Sequence, residues 1–485
     1  MRFAPPAKVG GSTPKSISKP SKKKEGVKKR KRDSMESEDG IFGDERQKND
    51  EVAGLKSPPE LSAAELTAIA KAKEKEETIE KIINSRPLKD DPVGSKMRSI
   101  IIRSLKNRDN FKLQEKALEN LRLMVTSADN VAKLILLGCL TMVSTAMTVH
   151  TDKSIVQAEA SALLAESVWL NQSCTVAIVE EGCIQLVLKS LKQHGIDQKV
   201  QQMGCNFFRA LSYDFANHPI IDRFSGVGAV IDSMKQNADK YDVLKEGCYF
   251  LQNVSWQKKG CGSVFICSDD SASHHSLCCP LLQILCNPEI KPETIKLIET
   301  KGIVATIIDA MTTAAAEESE YTAAAVGMLA NLAINEDARE HIGQYEPSIP
   351  TLLTVLGPDN VDTCKCSLNC LKLLSTGNAE FKANIVRLGG ITRLHDFLVL
   401  TTDSALADAG LRLLAELTKN DTENSKSLAE GGGFDLIRHA MATYIESPFI
   451  QASCCGVLRN LPPGSQLDQA NDIVALVLTA MKKHR

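Results

Sequence analysis

Gly182-Cys183-Ile184-Gln185-Leu186-Val187-Leu188 reads as a glycine turn opening an apolar helix, and the phrase returns along the chain. It reappears as Gly226-Val227-Gly228-Ala229-Val230-Ile231, Gly302-Ile303-Val304-Ala305-Thr306-Ile307-Ile308, Gly390-Ile391-Thr392-Arg393-Leu394 and Gly433-Phe434-Asp435-Leu436-Ile437. From Gly138 through Gly182 to Gly226, and from Gly302 to Gly390 in two steps, the spacing is about 44 residues. A sharp turn between two packed helices favours a residue without Cβ, because the backbone must enter a left-handed conformation. A polar helix start precedes each turn, and a polar loop and a longer Ala/Leu-rich helix follow it. Units of this kind bury an apolar face only by stacking on their neighbours. The 485 residues therefore read as one helical array rather than several globular domains.

The longer helices repeat as well. Tyr321-Thr322-Ala323-Ala324-Ala325-Val326-Gly327-Met328-Leu329-Ala330-Asn331-Leu332 and Cys454-Cys455-Gly456-Val457-Leu458-Arg459-Asn460-Leu461 share a pattern. Ser404 to Thr418 shows the same apolar spacing at i, i+3 and i+4. These stretches resemble the third helix of an armadillo repeat, and the resemblance runs from about residue 95 to the end in about eight units. It implies an all-α, right-handed solenoid of three-helix units with an inner groove lined by the third helices. By register with Asn331, the groove column holds Glu166, Ala210, Asn253, Asn331, Glu416 and Asn460, while the unit around Leu374 aligns in more than one way. In the family a groove Asn pins the backbone of an extended peptide, since its amide offers both donor and acceptor. Asn253, Asn331 and Asn460 are thus the first expected contacts with a protein partner, with Tyr249, Glu166 and Glu416 beside them. The alternative is that these amides satisfy carbonyls of the adjacent repeat. The nuclear transport adaptors of importin-alpha type place a Trp one turn before each groove Asn; here those positions are Tyr249, Gly327 and Gly456.

Residues 1–59 differ from the array. They are rich in Pro, Gly, Ser and Lys and poor in large aliphatics, a composition that predicts a disordered tail. Their net charge is roughly +6, concentrated in Lys22-Lys23-Lys24 and Lys28-Lys29-Arg30-Lys31-Arg32, with an acidic stretch from Asp33 to Glu51. Lys28, Lys29, Arg30, Lys31 and Arg32 read as a nuclear import signal for an import receptor, which places the protein in nucleus and cytoplasm. No aromatics interleave these charges and residues 111–485 carry about −10, which argues against nucleic acid and allows the tail to fold back on the groove. Residues 60–85 read as an isolated helix capped by Ser62, and Pro87 and Pro92 suggest a hinge at 86–94.

One interval breaks the period. Gly226 to Gly302 is about 76 residues, one unit plus about 32, and joining Lys258 to Lys291 restores the repeat. The excess at about 259–290 reads as a functional loop, as translated non-coding sequence, or as a metal site built on Cys261, Cys267, His274, His275, Cys278, Cys279 and Cys286. The last lacks paired Cys-x-x-Cys spacing.

The chemistry is otherwise spare. The 15 cysteines are scattered and read as reduced, mostly buried thiols, Cys364, Cys366 and Cys370 included. No phosphate loop, dinucleotide glycine pattern or His-Glu-x-x-His occurs, and no cofactor is called for. The uncharged run from Leu134 to Val149 is about 16 residues, short of the roughly 20 that span a bilayer. The sequence thus predicts a non-enzymatic protein-binding scaffold or adaptor. The alternatives on this fold are an import adaptor and a chaperone or ubiquitin-ligase cofactor.

Overall fold

The computed structural model describes residues 63–85, 91–255, 292–314, 319–357, 360–462 and 467–484. Residues Thr67–Arg485 form one compact unit. The expectations on the tail, its import signal and the segment 259–290 lie outside the described residues. So do residues 86–90 of the expected hinge.

Every described element is a helix, and those from Pro92 to Asn460 fall into eight consecutive units, with Ala63–Ile83 before them and Leu467–Lys483 after. A complete unit has a short first helix, a second helix across it, and a longer third helix. Thr175–Glu180, Cys183–Gln193 and Gln198–Ser212 make up one such unit. The third helices run Phe111–Arg122, Ser154–Leu170, Gln198–Ser212, Tyr241–Val254, Ser319–Leu332, Val361–Ser375, Ser404–Thr418 and Pro448–Asn460. Each packs on the next, so they form a ladder along one side of the array.

Local signals set the boundaries. Asp403 caps its helix by accepting from the N–H groups of Ala405 and Leu406, both at 2.9 Å. Asn110, Asp197, Asn360 and Ser447 cap other third helices in the same way, each satisfying an otherwise orphaned donor for about 1 kcal/mol. The turn into the second helix is left-handed at Gly138, Gly182 and Gly302, with φ of 84°, 78° and 60°. In three units the left-handed residue is the one before the glycine expected from sequence: Ser225, Gly389 and Gly432. Gly226, Gly390 and Gly433 instead open the helix, and a Cβ on Gly390 would lie 2.7 Å from the Ile385 carbonyl oxygen.

A small residue stands in the same register of every third helix, at Ala117, Ala160, Gly204, Gly247, Ala325, Ser367, Gly410 and Cys454, and at Gly204, Gly247, Ser367 and Gly410 the second helix lies directly against it. A Cβ on Gly204 would lie 2.5 Å from Leu191 Cδ2, and one on Gly410 2.8 Å from Leu398 Cδ2. Three residues earlier in units one, two, three and eight stands a glutamine. Gln157 Nε2 donates to the carbonyls of Met147 (2.9 Å) and His150 (2.8 Å), Gln201 to Leu191 and His194 (both 2.8 Å), and Gln451 to Met441 (3.0 Å) and Tyr444 (2.9 Å). Gln114 makes the same pair with Ser104 and Asn107. These amides close the C-terminal end of the second helix, where carbonyls have no intrahelical partner. A further bond ties unit to unit: His150 Nε2 donates to the Arg108 carbonyl (2.7 Å), His194 Nε2 to Thr151 (2.8 Å), and Asn237 Nδ2 to Gly195 (2.8 Å).

The helix Ala63–Ile83 is not isolated. Ile79 is buried, and Ile82 lies where a Cβ on Gly138 would be. Lys75 Nζ donates to Ser144 Oγ (2.9 Å), and Arg108 grips both oxygens of Glu76 at 2.8 and 2.9 Å. The Lys/Glu alternation obscured an Ile79/Ile82/Ile83 stripe at helical spacing, and this stripe is what docks the helix on the first units. Pro92, read in the sequence as part of a hinge, opens a helix. It occupies the first turn of Pro92–Lys106, capped by Asp91, where a missing N–H costs nothing.

No single helix among the described residues is long and apolar enough to cross a membrane. The apolar pair Ala128–Leu136 and Cys139–Val149 is bent by 70° at Gly138, as first and second helices of one unit. The array continues across the excess sequence. Tyr241–Val254 packs directly on Ser319–Leu332, with Lys245 Nζ 2.9 Å from Glu320 Oε2 and the Tyr241 and Tyr321 rings 5.3 Å apart.

Candidate peptide-binding groove

The third helices present one position after another toward the inner side. Shared bonds fix their register. The Ser212 hydroxyl donates to the Arg209 carbonyl, Ser255 to Gln252 and Ser375 to Lys372, each three residues back. The ambiguous unit is thereby resolved: Leu373 stands in the column of Ala210 and Asn253, and Lys372 in that of Arg209 and Gln252. In the first unit the Gln114 bond pattern places Leu123 in the column and Arg122 before it.

The three column asparagines bond to the unit before. Asn460 Nδ2 donates to the Ala415 carbonyl (2.8 Å) and to Thr418 Oγ1 (3.1 Å). Asn253 Nδ2 donates to Ser212 Oγ (3.0 Å), and Asn331 Nδ2 reaches the Gln252 carbonyl at 3.5 Å. A carbonyl only accepts, and the Ser212 hydroxyl proton is already given to Arg209, so Asn253 and Asn460 must both turn their N–H groups inward. Their side-chain oxygens accept no hydrogen bond among the described residues, and both residues are half-buried. What they can offer a peptide is an acceptor for its N–H. Asn331 is only 3% exposed and sits inside the joint between units four and five.

Around this column lies a charge and ring network that the sequence reading did not assemble. Arg122 binds Glu159 (3.1 Å) and Glu166 (2.9 Å) of the second unit. Arg209 repeats the motif on Glu246 (2.8 Å), and its guanidinium lies 4.0 Å from the Tyr249 ring centre and 5.4 Å from that of Trp169. Trp169 Nε1 donates to Asn206 Oδ1 (3.3 Å), and the Trp169 ring stands 5.6 Å from Tyr213. Burial pushes the Tyr249 phenol above its ordinary range. The space between two groove aromatics is therefore filled by the chain's own arginine. One signal was available in the sequence: Trp169, Tyr213 and Trp256 recur at the repeat spacing, three residues after the column. Trp256 lies outside the described residues.

The sequence-predicted residues thus fall into two groups. Glu166 pairs with Arg122 across units one and two, and Tyr249 and Asn253 contact Arg209 and Ser212 across units three and four. Glu416 and Asn460 stand in units seven and eight, Glu416 4.0 Å from Lys419.

Eight of the ten described cysteines are buried. Burial pushes the thiols of Cys139, Cys205, Cys370 and Cys454 up to about 12 and that of Cys364 to about 11. Such thiols are poor nucleophiles at neutral pH. A cleft of about 920 Å³ lies away from the groove. Leu188, Phe224, Val227 and Leu297 line it together with Asp222, Asp232, Lys192 and Lys301, and its two serines have no histidine beside them.

No family model matches the chain, and no curated protein matches it. Among solved structures it is similar to an engineered protein, at 18% identity and a TM-score of 0.56 over 82% of this chain and 91% of that one. Designed armadillo repeat proteins also match at 13% identity, one for modular peptide recognition (TM-score 0.43; 58% of this chain, 99% of that) and one in complex with the peptide (KR)4 (TM-score 0.42; 58% and 98%). Three-helix units, left-handed turns and a ladder of third helices together give the chain an armadillo-like repeat fold, a right-handed α-solenoid.

Proposed function

We propose that this chain is a non-catalytic scaffold or adaptor that holds extended segments of partner proteins along its inner groove. The observation that carries this reading is the third-helix ladder itself, whose inner side keeps Trp169 and Tyr249 half-buried and holds Asn253 and Asn460 in one register with their acceptor oxygens turned outward. An extended peptide presents an N–H every second residue on each edge, which such acceptors can take. Glu166, Glu416 and Tyr249 flank these contacts, and Asn331 supports them from the joint. The Arg209 guanidinium already stacked on Tyr249 favours a scaffold over an import adaptor, which must leave that space to a cargo lysine. The protein acts in nucleus and cytoplasm, and Lys28–Arg32 is the segment an import receptor reads.

Site-specific photo-crosslinking tests the groove. A photoreactive phenylalanine replacing Tyr213, 56% exposed at the inner edge, is expected to give discrete protein adducts in cells. The same group at Leu400, 75% exposed at the end of a second helix, is expected to give none. Equal labelling at both, or labelling at Leu400 alone, overturns the groove reading. Changing Lys28, Lys29, Arg30, Lys31 and Arg32 to Ala is expected to lower the nuclear-to-cytoplasmic ratio, and an unchanged ratio removes the import assignment.

A further inference from the structure

The two halves of the groove differ in how their cations are met. In the first half Arg122, Arg209 and Lys245 each hold a carboxylate within 3.1 Å: Glu159 and Glu166, Glu246, and Glu320. The second half brings Lys372, Arg412 and Arg459 onto three successive third helices, one from each of units six, seven and eight. Arg412 lies against Asp408, Nε to Oδ1 at 3.2 Å and Nη2 to Oδ2 at 2.7 Å, and Ser453 Oγ donates to the same Asp408 Oδ1 at 2.8 Å. That carboxylate is fully used. Neither the Lys372 ammonium nor the Arg459 guanidinium has a hydrogen bond or ion pair among the described residues.

Lys372 is half-buried all the same. Burial, then the nearby Arg412 guanidinium, holds its ammonium below the ordinary lysine range, against a smaller pull from Glu416 and Asp408. A partly desolvated cation beside a second cation gains from any anion that reaches both. The surrounding floor is low. Gly456 occupies the column that carries Tyr249 in unit four, and Ala415 the column that carries Arg209 in unit three.

We infer that units six to eight seat an acidic stretch of the partner segment. One of its carboxylates bridges Lys372 and Arg412, and another reaches Arg459. This rests on the groove reading above and adds the chemical character of the segment and its place. Carboxylates fit better than a neutral segment because they supply the ion-pair partner that the Lys372 and Arg459 side chains lack, whereas Arg122, Arg209 and Lys245 in the first half each have one.

The test uses the full chain and fluorescein-labelled peptides of alternating Glu and Ser, Gln and Ser, or Lys and Ser, followed by fluorescence polarisation at about 0.15 M salt. The Glu/Ser peptide is expected to bind most tightly. K372E and the exposed R459E should each weaken it about tenfold, as expected for loss of a charge-assisted contact, and K372R should retain it. Arg459→Glu carries little folding burden, and circular dichroism checks that both charge reversals keep their helices. Equal binding of the Glu/Ser and Gln/Ser peptides overturns the inference, as does Glu/Ser binding unchanged in both K372E and R459E. If crosslinking from Tyr213 persists in that case, the groove reading stands and only the acidic assignment falls. If crosslinking is lost as well, both fall.

Discussion

Gln157→Met isolates the clamp that joins second and third helices. Gln157 is 3% exposed and its Nε2 donates to the carbonyls of Met147 at 2.9 Å and His150 at 2.8 Å. The two losses are unequal. The His150 carbonyl keeps a second donor, the Lys153 N–H at 3.1 Å, whereas no backbone N–H among the described residues reaches the Met147 oxygen. Methionine has nearly the same length and no donor, so the substitution leaves one buried carbonyl orphaned and opens little space. An orphaned buried acceptor costs about 1–3 kcal/mol, and a thioether in place of an amide returns part of that by apolar burial, leaving a net loss of about 2 kcal/mol. In a repeat array this loss acts on one unit and its neighbours rather than on the whole chain. Hydrogen exchange followed by mass spectrometry reads it directly: opening of residues 139–157 should ease by about 2 kcal/mol while residues 404–460 exchange as before. A change below about 0.5 kcal/mol in 139–157 refutes the clamp, since surface substitutions alone reach that size. Equal loss at 404–460 refutes the unit-by-unit picture.

The left-handed turns make an opposed pair. Gly182→Ala meets only the Gln185 side chain at 3.7 Å and should cost about 1 kcal/mol of backbone strain, whereas Ser225→Gly, at φ 56°, should gain a similar amount; thermal melts shifting the same way for both would contradict the assignment. For Arg209 and Glu246, whose side chains are 15% and 11% exposed, a double-mutant cycle with Arg209→Met and Glu246→Gln should give a coupling of about 1–3 kcal/mol, measured by urea unfolding. Additive losses would mean that the guanidinium is held by the Trp169 and Tyr249 rings alone. The thiols predict an alkaline limit. Cys139, Cys205, Cys370 and Cys454 are pushed from 9.0 to about 12 in the fold, so the unfolded chain loses these protons first. Their contribution is intact below pH 9.0 and lost between 9.0 and about 12, so melting temperature should fall over that window and iodoacetamide at pH 8 should spare these four until the chain unfolds.

The rhythm of the array was legible because stacking leaves a one-dimensional trace. A turn that needs a left-handed residue, a small residue where helices cross, and a cap before each third helix recur at nearly fixed separations. The groove was legible only as a column. Asn253, Asn331 and Asn460 share a register, yet whether an amide faces the groove or the preceding unit depends on a partner 41, 79 and 45 residues away, respectively, in the unit before. The Ser212 hydroxyl decides the matter for Asn253, and the Ala415 carbonyl decides it for Asn460. Periodicity of a single residue type carries no information about such pairs. The same blindness hid Arg209, which differs in sequence from other helical arginines in nothing but its neighbours Trp169, Glu246 and Tyr249, all on adjacent helices. It also concealed the docking of Ala63–Ile83, because a stripe of three isoleucines among alternating charges has meaning only when a receiving surface exists. The repeat spacing of Trp169 and Tyr213 was the one visible trace of the network. A search for columns of unlike residues that are adjacent across units, Arg in one and Glu a fixed distance on in the next, would have found Arg122 with Glu159 and Arg209 with Glu246, since both pairs are separated by 37 residues.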